Sequence, residues 1–487
     1  MRGLIFSDCW NQYNGYRQGI KRNSSAHLMA NFLREHDIFV DVVDFLHDFT
    51  VEELSTILTN TNPKFICIVA TLDKKYKDWK SLYTQIKTIL PDAKIIIFGE
   101  RVLRLNYTNA DYYIEGFSET AVLNVLQNSG IVKLNNKLVN ANADYPNDMK
   151  SNTFSTRYLD SDFIDPNEFQ VVTFSRGCIF KCSFCNHSAI GVRKQDFEKD
   201  SQAIIDEFLY AYQQYGITKF SIIDSTFNDT DEKANLLLHI SKLIPEPIEV
   251  VCFLRLDLLY KQKGLLDKLV KAGVVAVHFG IDSLNKDTGK LIGKTVDPNL
   301  LVQYLKDIKL QYPNLFIYGT FIAGLPNDTV EKQREICSWL NKELPMDMWY
   351  WFPLSIKQNN GSGEVLSPIE QNYAKYGYKE STTQVGELPS GRGLRDRGIN
   401  LVTWENDQLN LIEAINLCKE LNDISAKNIK CNPWMIFDMS VVYKDINWWI
   451  NFHPLQSSTN PFDELSRNTV EFVNQYKQKK LTYFTKI

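Results

Sequence analysis

Three cysteines crowd the stretch RGCIFKCSFC at positions 176 to 185, with the spacing C-x3-C-x2-C: Cys178, Cys182 and Cys185. Elsewhere the chain shows no disulfide framework, and in a reducing compartment such a cluster points to metal binding or catalysis. Two kinds of metal site suit it. His187 follows the third cysteine, so C-x3-C-x2-C-x-H offers a Cys3His set for a tetrahedral zinc ion, although the spacing is compact for one. A cubic [4Fe–4S] cluster takes four thiolates, so three cysteines would leave one iron open to another ligand.

The remaining cysteines, Cys9, Cys67, Cys252, Cys337, Cys418 and Cys431, are scattered singly. Cys67 in FICIVA and Cys252 in VVCFL sit in apolar runs, where a reduced thiol acts as a small hydrophobe. The chain has 487 residues, 44% hydrophobic and 23% charged, the composition of a soluble globular protein too long for one core. Its net charge of −4 gives no reason to expect nucleic acid or an anionic membrane as partner. No apolar run approaches the roughly 20 residues of a membrane span. The opening MRGLIFSDCWNQ turns polar too soon for a secretory leader, so the expected compartment is the cytoplasm.

Positioning the cysteines requires a scaffold, and the chain alternates two kinds of segment. Over residues 1–130, the strand-like runs GLIFS, IFVDVVDF, KFICIVA, AKIIIFG and DYYIEG alternate with amphipathic segments. That pattern predicts α/β structure with a parallel, Rossmann-like sheet of five strands. Its ligand edge would lie beyond the strand ends, near Ser7, Asp8, Thr71, Gly99 and Glu100. Residues 131–165 are rich in Asn, Asp and Pro and read as a linker. Over 166–355 the strands FQVVTFS, KFSIID, IEVVCFLR, VVAVHFGID, LFIYGTFIAG and MDMWYWFPL alternate with helices, predicting a partial (β/α)6 barrel. The cysteines then fall at the C-terminal end of its first strand, the rim where such barrels carry function. Residues 356–487 predict a smaller, mainly helical C-terminal domain or lid. Within it, the loop SGRGLRDRG carries Arg392, Arg395 and Arg397, and QYKQKK reads as a solvated basic helix face. The aromatics of WYWFPL suit a pocket lining or a core equally.

C-x3-C-x2-C at the mouth of the first strand of such a barrel resembles the radical S-adenosylmethionine (SAM) superfamily. The resemblance implies a [4Fe–4S] cluster on Cys178, Cys182 and Cys185. It also implies SAM chelated at the open iron and cleaved by one electron to a 5′-deoxyadenosyl radical. The electron would come from a donor such as flavodoxin or ferredoxin. Phe184 stands at the family's aromatic position near the adenine. Asp224 and Ser225 end the second strand where relatives face the methionyl group, without the usual Gly-Gly-Glu, and Arg255 ends the third. HFGIDSLN is similar to the family's Gly-Ile-Glu-Ser, with Asp282 for Glu and Ser283 retained; GTFIAGLPNDT is similar to the adenine segment, with Asp328 for Glu. Gly319 and Gly324 in that segment are expected to let the backbone approach the nucleoside.

A Rossmann-like domain ahead of the barrel resembles the cobalamin-binding class of the superfamily, and EGFSETAV at 115–122 is similar to the segment that closes that domain. In the methyltransferases of this class SAM serves twice, as methyl source by way of cobalamin and as radical source. Methylation of an unactivated carbon of a small molecule is the implied reaction. A rearrangement, ring closure or oxidation without cobalamin is the alternative, and a zinc-stabilised binding protein is the alternative outside enzymology. One departure bears on cobalamin: the Asp-x-His-x-x-Gly motif is missing, with Trp10 where the axial histidine would stand after Asp8.

Overall fold

The computed structural model describes residues 1–7, 12–13, 16–17, 21–70, 79–99, 102, 110–127, 138–144, 154–185, 198–294, 296–357, 366–381, 402–424 and 461–487. The first unit contains β1 (Arg2–Phe6), α1 (Ser24–Arg34), β2 (Phe39–Val43), α2 (Val51–Thr61) and β3 (Phe65–Val69). It continues through α3 (Trp79–Ile89), β4 (Lys94–Gly99), β5 (Tyr112–Glu115), α4 (Glu119–Gln127) and β6 (Leu138–Asn140). All six strands are parallel in the order β2-β1-β3-β4-β5-β6. Apolar runs such as FICIV in β3 are buried throughout because helices cover both faces of the sheet. The strand order reverses between β1 and β3, which opens a crevice at their carboxyl ends. β6 corrects the expected boundary: it lies inside the stretch read as a linker and pairs with β5, so the unit runs past residue 130.

The second unit contains β7 (Phe169–Val172), α5 (Ser201–Tyr215), β8 (Lys219–Ile222), α6 (Asp231–Leu243), β9 (Glu249–Leu254), α7 (Leu256–Lys261) and α8 (Leu265–Lys271). Then come β10 (Val274–Asp282), α9 (Lys286–Ile292), α10 (Pro298–Gln311), β11 (Phe316–Ala323), α11 (Val330–Glu343) and β12 (Met348–Pro353). Its strands pair in parallel and in sequence from β7 to β12, as the alternating pattern predicts. The period of two divides the aromatics of β12. Trp349 and Trp351 join the core against the helices, while Tyr350 and Phe352 stand on the opposite face.

The C-terminal region does not behave as one lid. α12 (Leu411–Asp423) covers β12, where the Asn422 side chain accepts from the Trp351 N–H at 2.9 Å and donates to its carbonyl at 3.0 Å, capping the edge strand. α13 (Pro461–Thr485) packs instead on the first unit, with Val473, Tyr476 and Phe484 in its core. The run QYKQKK is therefore only partly a solvated face: Tyr476 and Lys480 are buried, while Gln475, Gln478 and Lys479 are exposed. The Arg392, Arg395 and Arg397 loop, Cys431 and the tail tryptophans lie outside the described residues.

Packing alone already requires glycine at Gly319 and Gly324. A β-carbon on Gly319 would meet the Met346 sulfur at 2.6 Å. One on Gly324 would meet the Trp404 ring at 2.4 Å, and Gly324 has φ +91°. Replacing Gly324 by alanine combines a left-handed backbone with overpacking, each costing about 1–2 kcal/mol or more. A lowered denaturation midpoint is the expected result, measured by chemical unfolding.

Candidate active site

The cysteine loop begins where β7 ends, and a buried carboxylate fixes its root. Asp224, after β8, accepts from the Phe174 N–H at 2.7 Å and from the Ser175 hydroxyl at 2.7 Å. Lys233 of α6 donates to the same carboxylate at 2.8 Å and to Ser175 at 2.7 Å. Burial opposes the Lys233 charge, but Asp224 and Asp229 hold its pKa above the ordinary value. Both Asp224 oxygens are thus engaged in holding the loop, whereas neighbouring Ser225 is exposed. Gly177 turns the chain with φ +85°, and the Cys185 N–H bonds the Cys182 carbonyl at 3.0 Å across a tight turn. Phe184 packs against a separate apolar cluster that includes Ile292, Leu325, Leu354 and Ile356.

The three clustered thiols are partly exposed, while Cys67, Cys252, Cys337 and Cys418 are buried. Burial pushes the Cys67, Cys252 and Cys418 thiols far up and Cys337 up to about 11, which leaves them inert. Burial also raises Cys182, with Lys294 and Arg255 pulling the other way. Among the described residues no three His, Cys, Asp or Glu side chains surround a single point closely enough for one metal ion. A cubane places each thiolate on its own iron, so three thiols on one loop can serve it without converging on a single point. His187 lies outside the described residues.

Around the loop the barrel supplies charge. Arg255, after β9, is buried and forms a fork with Asp257, Nε to Oδ1 at 3.0 Å and Nη2 to Oδ2 at 2.7 Å. Its Nη1 reaches the Cys182 sulfur at 3.6 Å. At the end of β10 the backbone kinks: Asp282 has φ +65°, and the register with β11 shifts there. Lys294 fastens the kink, pairing with Asp282 at 2.5 Å and donating to the Gly280 and Ile281 carbonyls. A β-carbon on Gly280 would meet nothing closer than Asp282 at 4.0 Å, so this glycine leaves open space beside the kink. Ser283 donates to Asp328 at 2.9 Å. Burial pushes the Asp328 carboxyl up to about 6, against the hydroxyl that favours its charge.

The first unit meets this loop directly. Arg176, two residues before Cys178, pairs with Glu119 at the start of α4 and lies over the rings of Phe117 at 4.5 Å and Phe154 at 4.0 Å. EGFSETAV therefore closes one unit onto the cysteine loop of the other. Sequence reading missed Asp257, Gly280 and Lys294. The Arg-x-Asp spacing after β9 was a signal for Asp257, while Lys294 follows a helix C-cap glycine with nothing local to mark it.

Residues 172–340 match the Radical SAM superfamily. The match spans about a third of the chain and marks that stretch as a radical SAM domain. The match begins at the last residue of β7 and takes in the cysteine loop and β8 to β11. An uncharacterized methyltransferase of Pyrococcus horikoshii is 23% identical over 333 residues, covering 63% of this chain and 70% of that one. Cytidylyl-2-hydroxyethylphosphonate methyltransferase of Streptomyces wedmorensis is 26% identical over 159 residues, 31% of this chain and 28% of its own length. The whole fold is similar to that of TsrM, a radical SAM methyltransferase of Kitasatospora setae solved with cobalamin and a [4Fe-4S] cluster bound. The TM-score is 0.63 at 11% identity, over 96% of this chain and 99% of TsrM. Both units of this chain thus have counterparts of the same fold in one solved chain. No helix among the described residues is long and apolar enough to cross a membrane.

Proposed function

We propose that this radical SAM enzyme cleaves SAM reductively at a [4Fe–4S] cluster on Cys178, Cys182 and Cys185. We further propose that it uses cobalamin in the N-terminal unit to methylate an unactivated carbon of a small molecule. The observation that carries the reading is the Arg176–Glu119 pair, which joins the closing segment of the first unit to the cysteine loop. It brings together two cofactor-binding edges, and methyl transfer between two cofactors needs that proximity.

The residues present suit both groups. Three partly exposed thiols beside a guanidinium are the donor set of a cluster with one open iron. At the crevice of the first sheet the strand ends carry Ser7, Ala70 and Gly99, small residues at the edge where such sheets bind ligands. The Ser7 hydroxyl donates to Asp44 at 2.5 Å, which fixes its orientation at that edge. Bound together, the cluster, SAM and cobalamin supply the radical and the methyl group. The protein binds, orients and excludes water. Arg255 and Asp224 hold the cysteine loop, and the open side of Gly280, beside the Asp282–Lys294 pair, is the space available to SAM on the inner face of the barrel. Ser283, Asp328 and Phe184 brace the rim. The electron donor is of the flavodoxin or ferredoxin kind.

Anaerobic reconstitution with hydroxocobalamin, removal of the excess and spectroscopic quantitation test the reading. About one cobalamin per chain is expected. No retention with SAM still cleaved would favour cobalamin-independent rearrangement, cyclisation or oxidation.

A further inference from the structure

Arg255 combines three features seldom found together. It is buried, its hydrogen-bonding is nearly complete, and it ends on a cluster cysteine. A guanidinium has five N–H donors in a fixed plane. Here Nε and Nη2 hold the Asp257 carboxylate, and Nη2 also reaches the Gly293 carbonyl at 3.2 Å. Nη1 points at Cys182 Sγ, 3.6 Å away. The plane lies 4.2 Å from the ring of Phe180, a residue between the first two cysteines. The backbone is pinned as well: the Arg255 N–H donates to Asn228 Oδ1 at 2.8 Å, and its carbonyl accepts from Asn228 Nδ2 at 3.0 Å. Swinging away to serve as a mobile anion anchor would break the Asp257 fork inside the protein, where an unpaired carboxylate is costly.

Cys178 meets a hydroxyl rather than a guanidinium. Thr226 Oγ1 lies 3.7 Å from Cys178 Sγ, but its single hydroxyl proton has the Ser225 carbonyl at 2.9 Å. Arg255 thus aims a cationic donor at the middle cysteine.

We propose that Arg255 is a positioning residue that sets the reduction potential of the cluster through its hydrogen bond to Cys182. The inference rests on the reading of the three cysteines as cluster ligands. Reduction adds an electron to a thiolate-bound cluster. A cation and N–H donor on one sulfur stabilise that added charge, so they raise the potential and ease reduction by a biological donor. Asp257 keeps the guanidinium in place and partly offsets its charge. The Phe180 contact ties the same group to the shape of the loop.

The test is a potentiometric titration without SAM, followed by electron paramagnetic resonance, on reconstituted wild-type, Arg255→Met and Arg255→Lys proteins matched for iron and sulfide. Arg255→Met is expected to weaken cluster reduction at least tenfold, a shift of about 59 mV to more negative potential for a one-electron couple. Arg255→Lys keeps the charge but loses the fork, and its potential is expected between the two. A fully loaded Arg255→Met protein with the wild-type potential overturns the proposal. If the methionine variant takes up no cluster, a loaded Arg255→Lys protein with the wild-type potential overturns it equally. A wild-type protein that binds no iron and sulfide would instead defeat the cluster reading underneath.

Discussion

Replacing Cys182 by alanine removes bound iron and sulfide from the reconstituted protein and leaves both sheets folded. The loop does not depend on this thiol for its path. Its root is held by Asp224, Ser175 and Lys233, and its far side by the Ile369 N–H on the Ser183 carbonyl at 2.9 Å. Truncating one partly exposed side chain there costs about 1 kcal/mol, the ordinary scale of a point substitution. The metal site, by contrast, falls from three ligands to two and no longer secures a cubane. Cys252 provides the contrast. It is buried in β9 with its thiol pushed far up by burial, so Cys252→Ala is expected to keep its iron and lose only a little stability. Iron and sulfide analysis with circular dichroism checks both variants.

The second large effect falls far from the cysteines, where three parts of the chain share a buried ionic network. Arg22 binds Asp44 at 2.8 Å and Glu168 at 2.7 Å, and His27 lies 3.0 Å from the same Asp44. Tyr476 of α13 accepts from the Asp44 N–H at 3.0 Å, and Lys480 donates to the Ser161 carbonyl at 2.7 Å and lies 3.5 Å from Asp162. The group joins the first unit, the approach to the barrel and the C-terminal helix. Arg22→Met would strand two buried carboxylates, and removing one partner of such a pair costs about 3–5 kcal/mol. A marked drop in the denaturation midpoint is expected. Its pH dependence has a definite sign. Burial raises the Asp44 and Asp162 carboxyls, but nearby cations outweigh it: chiefly His27 and Arg22 for Asp44, and Lys480 for Asp162. Both are therefore held below the ordinary carboxylate value, near 4. Their contribution is present above about pH 4 and lost as pH falls through the folded values. The gap between wild type and Arg22→Met should accordingly narrow below about pH 4.

Much of this was legible locally. Continuous apolar runs marked the buried parallel strands, and the cysteine spacing marked the loop. What escaped the sequence depends on partners distant along the chain. β6 is three residues long and polar at one end, so nothing in NNKLVN signals that it pairs with β5. Nothing near Gly324 signals that Trp404, eighty positions later, packs where a side chain would stand. Lys480 reads as a surface charge because period and composition cannot reveal that Asp162 waits beneath it. Asp224 was visible as a strand-end acid, but its attachment to the cysteine loop follows only from the parallel pairing of β7 with β8.

The most direct test of the central claim is anaerobic incubation of the reconstituted protein with SAM and dithionite, with the nucleoside products quantified. The account predicts 5′-deoxyadenosine in the wild-type protein, dependent on reductant and absent from Cys182→Ala. A fully loaded wild-type cluster that leaves SAM intact, or yields no 5′-deoxyadenosine under any reductant, would contradict it.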